Sequence, residues 1–249
     1  MTPFSYADAP FTVRADIGAA HRKFWHALAG PGSWWTGAQR VAIALASRRA
    51  VDCALCRTRK AALSPHAVAG THEHDGNHRL PEVAVDAVHR VVSDQHRITR
   101  RYVDDNAAAG LSKEAYVELV GIVVAVFSID EFHRALGLAL EPLPQLRPGQ
   151  PSRYRPAILS DDIGFVPTVP REGATGNEAN LFQHTRAANV VRALTLVPDA
   201  LRDWRDLSAA QYLSFAGMAN YVKDENRAID RMQMELVAGR VSAVNECYY

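Results

Sequence analysis

The sequence predicts an all-α protein. Apolar residues recur at helical spacing through most of the chain, strand-type alternation is scarce, and the periodic runs end at Gly, Pro or capping residues. From Asp16 to Leu28, the positions Ile17, Phe24, Trp25 and Leu28 share a face, and Gly30-Pro31-Gly32 ends the run. A second helix fits Gly37 to Ala50. Pro81 then supplies a first helical residue that needs no amide hydrogen, and Ala84, Val85, Val88, Val91, Val92 and Ile98 give an apolar face through Tyr102. The opposite face, with Glu82, Asp86, His89, Ser93 and His96, reads as solvated. Gly110-Leu111-Ser112 provides a turn and an N-cap for a strongly apolar helix that contains Tyr116, Leu119, Val123 and Phe127 and ends near Gly137. Trp25, Trp34, Trp35 and Trp204 read as core.

Composition bounds the function. The 249 residues are enough for one large domain or two small ones, and 48% hydrophobic with 22% charged residues excludes disorder and fibre. Lys+Arg number 28 against 27 Asp+Glu, a formal charge of +1, so no global field gathers nucleic acid or anionic membrane. The longest apolar stretch, Leu119 to Ile129, falls short of the roughly 20 residues of a membrane span. Residues 1–30 lack the basic start and long apolar run of a secretion signal, so a cytoplasmic, reducing compartment is expected. Three cysteines make no disulfide framework, which leaves thiol chemistry or metal binding.

Seven of the 13 prolines fall between Pro142 and Pro170, together with Gly149 and Gly164. This divides the chain into a first helical domain (1–140), a Pro/Gly-rich linker (141–176) and a second helical segment (177–249). In the last, Ser208-Ala209-Ala210-Gln211 has capping-box spacing for a new helix, and a final helix is expected from about Lys223 through Ile229, Met232 and Leu236 to Val244. Each half delivers a cysteine from an apolar helix. Trp34-Trp35 leads to Cys53-Ala54-Leu55-Cys56, and Met234-Glu235-Leu236-Val237-Ala238 leads to Cys247.

Cys53 and Cys56 are the sharpest signal, since two cysteines three apart can close a disulfide or share a metal. Arg48, Arg49, Arg57, Arg59 and Lys60 flank them against Asp52 alone, a setting that favours thiolate. The alternative is metal: Cys53, Cys56, His72 and His74 would satisfy tetrahedral zinc. His133, near Asp130, reads either as a buried proton donor or as a helix-end cation.

The run from Met234 to Cys247 resembles the alkylhydroperoxidase D-like (AhpD-like), or carboxymuconolactone decarboxylase-like, superfamily, whose peroxidase members carry Glu-x11-Cys-x2-Cys-x3-His. Glu235 and Cys247 have that spacing. Gly110-Leu111-Ser112-Lys113-Glu114 through Asp130-Glu131-Phe132-His133-Arg134-Ala135-Leu136-Gly137 is similar to the family's later helices. The resemblance implies two tandem copies, the second lacking its last helices, as in the two-copy alkylhydroperoxidase-related (seleno)proteins. It further implies a thiol- or selenol-dependent peroxidase reducing hydroperoxides, with Cys53, Cys56, Cys247 and Glu235 catalytic, an external thiol reductant, no bound cofactor and a homo-oligomeric state. Both copies depart from the motif. Val41 stands at the glutamate position and Lys60 at the histidine position of the first, so His66, His72, His74 or His133 would have to relay protons. In the second, the residue after Tyr249 would be the peroxide-attacking one, and a selenocysteine read as a stop accounts for its absence. A thiol-disulfide reductase without peroxidase turnover and a non-catalytic zinc-bound scaffold are the other two readings.

Overall fold

In the computed structural model, residues 3–72, 79–182, 188–214, 217–218 and 227–246 are described. Among them are nine α-helices and no strand: α1 (Ala15–Ala29), α2 (Gly37–Ala50), α3 (Ala54–Ala61), α4 (Glu82–Ser93), α5 (Arg100–Ala108), α6 (Lys113–Ala135), α7 (Asn189–Arg192), α8 (Pro198–Gln211) and α9 (Arg231–Val244). The one β-type pairing is an isolated antiparallel bridge between Ser160 and Thr168. No helix among the described residues is long and apolar enough to cross a membrane.

The central helix is α6. Ser112 caps it by accepting from the Ala115 amide at 3.2 Å, as expected. Its apolar residues point round most of its circumference, so it must be enclosed, and α1, α2, α4 and α8 enclose it. Leu119, Ile122, Val123, Val126 and Ile129 meet Phe24, Trp25 and Leu28 of α1, Ile43 and Ala44 of α2, and Ala84, Val85 and Val88 of α4. Each of the larger aliphatic residues contributes on the order of 2 kcal/mol through burial. Trp25 and Trp35 are core as expected, and each indole satisfies its N–H on a carbonyl, Pro142 and Ala115 respectively.

Three expected helix boundaries are corrected. The segment from Pro81 to Tyr102 is two helices, because Asp94 leaves helical geometry (φ −155°) to bind Arg90 at 2.7 Å and Arg97 at 2.8 Å. Thr99 then caps α5 on the Tyr102 amide. Ser208 lies in the last turn of α8, which starts ten residues earlier at Pro198, so the Ser-x-x-Gln spacing there caps nothing. The final helix begins with a capping box between Asp230 and Gln233.

The Pro/Gly-rich stretch is irregular, as its composition requires, but it is packed. Val169 is fully buried with Val117 of α6 and with Leu181, Leu194, Leu196 and Leu201 in a second apolar cluster. A backbone bond from Arg147 to Ala29 and two more from Ser152 and Arg153 to Gly32 and Ser33 hold it across the α1–α2 turn.

Candidate metal and thiol centre

The turn after α2 places Cys53 at the N-cap of α3 and Cys56 in its first turn. Both sulfurs are buried, at 3% and 4% exposure. The chain then leaves α3 and comes back past it. Gly70 packs so closely on Leu55 that a Cβ would sit 2.7 Å from Leu55 Cδ1, and this close approach returns His72 to the helix start. On the other side α4 brings Asp86 and His89, one turn apart on one face.

Cys53 Sγ, Cys56 Sγ, one nitrogen of His72 and one of His89 lie within 4.8 Å of one another, and all four residues are buried. His72 Nδ1 is 3.5 Å from Cys53 Sγ and 3.7 Å from Cys56 Sγ, while His89 Nδ1 is 3.3 Å from Cys56 Sγ. The two rings stack with centroids 4.1 Å apart. Zn–S bonds of about 2.3 Å and Zn–N bonds of about 2.1 Å in a tetrahedron put sulfur and nitrogen about 3.6 Å apart, so these separations could hold an ion as well as serve as hydrogen bonds to sulfur.

Behind His72 stands a carboxylate. Its Nε2 is 3.0 Å from Asp86 Oδ1, the same oxygen that Arg59 bonds, and Tyr102 donates its hydroxyl to Oδ2 at 2.7 Å. Burial opposes charge on the His72 ring, yet Asp86 and the facing sulfurs raise its pKa to about 10. Burial likewise works against the Asp86 carboxylate, but His72, Tyr102 and Arg59 together hold it well below the ordinary carboxylate range. For Cys53, burial favours the thiol, whereas the His72 ring and the Cys56 amide outweigh it and lower the pKa. A recess of about 210 Å³ reaches Cys56, with Arg57 and Lys60 beside Val92 and Phe127.

Sequence reasoning found three of these four donors and missed the fourth. His89 and Asp86 had been assigned to a solvated face, and this is corrected: His89 is fully buried. One face of α4 packs on α6 and α2, and α3 covers the other at His89 and Asp86, so the middle of the polar stripe is covered while Glu82 at its start stays exposed. The i, i+3 pairing of Asp86 with His89 was the available signal. His74, the expected fourth ligand, lies outside the described residues.

The other expected site residues are elsewhere. His133 is buried, but its Nε2 is 3.1 Å from the Tyr6 hydroxyl and its Nδ1 bonds the Ala139 carbonyl at 2.7 Å, away from the cysteines. Asp130 binds Arg48 through two bonds of 2.8 Å instead of serving His133, which also takes Arg48 away from the thiols. His66 is exposed. Glu235, expected from the resemblance to be catalytic, is an exposed residue of α9, paired with Arg231 and accepting from Tyr212, each at 2.6 Å. Its side chain remains 46% accessible because no described element covers that side of α9. Cys247 lies outside the described residues.

No family model matches this chain, and no match was found among curated proteins or solved structures. What the fold and site define is therefore a class by chemistry alone: an all-helical chain around a buried two-cysteine, two-histidine cluster.

Proposed function

We propose that the chain binds one zinc-class divalent cation through Cys53, Cys56, His72 and His89. The observation that carries this is the convergence of two sulfurs and two ring nitrogens at tetrahedral ligand spacing. Two soft thiolates with two imidazoles select zinc over oxygen-seeking cations such as calcium or magnesium. With Nε2–H given to Asp86, His72 Nδ1 faces the sulfurs and becomes a ligand once the ion displaces its proton, which is the carboxylate–histidine–metal arrangement that orients a ligand and raises its basicity. Four protein donors close the shell, so the ion's role is architectural. It ties the short α3 and the segment that carries His72 to α4, where apolar contacts alone are few. The test is metal content of the purified chain by native mass spectrometry and elemental analysis. One zinc per chain is expected, lost in Cys56→Ser and in His89→Ala. A wild-type chain that takes up no zinc from a buffered solution overturns the reading.

A second reading, a dithiol redox centre, is favoured by the recess at Cys56 and by Cys53 at a helix start. It carries with it the thiol-dependent peroxidase and tandem-copy expectations above. Thiolate attack on a hydroperoxide breaks the O–O bond, the alcohol leaves with a proton, and the sulfenic acid is closed to a disulfide by the other thiolate with loss of water. An external dithiol then restores the reduced pair. Peroxide consumption with a dithiol donor, abolished in Cys56→Ser, distinguishes it; a metal-loaded chain with both thiols protected from alkylation and no turnover excludes it.

A further inference from the structure

A second site lies away from the metal cluster and shares no residue with it. Between α6 and an arch formed by residues 163–168 is a cleft of about 420 Å³. Tyr116, Val117 and Val120 of α6 make its floor, and Phe165, Val166 and Leu194 wall the opposite side. The arch is fastened at both ends. Arg192 bonds Asp162 at 2.6 and 2.8 Å and the Thr168 hydroxyl at 2.8 Å, while Arg100 bonds the Gly164 carbonyl and lies over the Phe165 ring. This cleft is thus framed by fixed contacts and falls in the size range of small-molecule sites.

Its lining includes no charged side chain among the described residues. The polar anomaly is Tyr116, 7% exposed and without a hydrogen-bond partner among the described residues. Burial alone raises its pKa, to about 12, so at neutral pH the hydroxyl is a donor in need of an acceptor. The hydroxyl is not among the fully buried unpartnered polar atoms, so it keeps contact with solvent, and a ligand oxygen that accepts from it replaces water while the apolar walls are covered.

We infer that this cleft binds a neutral, largely apolar small molecule of roughly ten to seventeen non-hydrogen atoms that presents one hydrogen-bond-accepting oxygen, such as a ketone, to Tyr116. Apolar walls supply the affinity and Tyr116 the orientation. A carboxylate is disfavoured, because the lining's polar residues, Tyr116, Thr168 and Asn189, are neutral and no cation in the described lining offsets its desolvation.

The experiment uses the full chain and the neutral fluorophore N-phenyl-1-naphthylamine, displaced in turn by camphor, by its parent hydrocarbon bornane and by adamantane-1-carboxylate. Fluorescence enhancement is expected on mixing, with camphor displacing the probe about tenfold more tightly than bornane and the carboxylate failing to compete. Tyr116→Phe, which removes only the hydroxyl, is expected to keep probe binding and erase the camphor preference. Val120→Phe is expected to fill the cleft and abolish probe binding; should that variant not fold, Val166→Phe on the arch fills the same space. Absence of probe binding by the wild type, a camphor preference that survives in Tyr116→Phe, or equal competition by the carboxylate overturns the inference.

Discussion

His72 and Asp86 meet through one contact of 3.0 Å, Nε2 to Oδ1, and that contact decides which ring nitrogen faces Cys53 and Cys56. Asp86 is itself fixed by Tyr102 and Arg59, so the orientation of the His72 ring is set two layers away from the sulfurs. Asp86→Asn is therefore expected to lower zinc affinity by about 10- to 100-fold without removing a ligand. Competition against a chromophoric chelator measures it, and an unchanged affinity would show that Asp86 does not set the ring.

Metal removal should be felt by the fold. Of the eight residues of α3 only Cys56 is buried, so apolar packing alone gives this helix little hold. Zinc at concentrations well above its dissociation constant is expected to raise the Tm of the wild type by several degrees, since a ligand of the native state stabilises by mass action. His89→Ala is expected to show no such response.

Arg40 and Glu118 form a buried ion pair at 3.0 Å, 7% and 3% exposed, and Glu118 also accepts from the Trp34 amide at 2.5 Å. Glu118→Ala would leave the buried guanidinium with only the more distant Asp203 carboxylate, at 3.9 Å, and is expected to cost about 3 kcal/mol in urea unfolding. The pair also dictates Gly32. A Cβ there would fall 1.8 Å from Glu118 Oε1 and 2.1 Å from Arg40 Nη1, so Gly32→Ala is expected to destabilise as well. Wild-type stability in both variants would remove the pair from the account of the core.

Two buried titrations act against each other in acid. Burial, then His133 and Arg22, lower His21 from 6.5 to about 4. The folded form thus binds fewer protons than the unfolded chain, and stability from this group is lost as pH falls from 6.5 to 4. Asp203 is raised from 3.8 to about 6, chiefly by burial, so its effect has the opposite sign: stability falls as pH rises from 4 to 6. Asp203→Asn is expected to raise stability at pH 7 by about 1–2 kcal/mol and to steepen the loss on acidification. His21→Asn should flatten that loss. Denaturant midpoints from pH 4 to 7.5 check both, and identical pH profiles in the three proteins would refute the assignment.

The same His21 shows how a polar core is specified. Gln211 lies 3.0 Å from His21 Nε2, His21 Nδ1 faces the Tyr6 hydroxyl, and Tyr6 faces His133, whose other nitrogen meets the Ala139 carbonyl. Donors and acceptors alternate along this line, joining the N-terminal segment to α1, α6 and α8. Nothing in the local spacing of Tyr6, His21, His133 and Gln211 announces it, because the positions are brought together only by packing.

The sequence by itself determined the helical class, the bounds of α2, the Ser112 cap, the apolar character of α6 and the pairing of Cys53 with Cys56. These follow from interactions within a few residues of one another. Only the tertiary structure decided that the polar side of α4 is covered at Asp86 and His89, that His89 joins the two sulfurs and His72, that His133 serves Tyr6, and that Glu235 stays exposed. Helical periodicity identifies one apolar face, and it is silent when a helix is enclosed on two sides and the second side is closed by thiols and imidazoles instead of hydrocarbon.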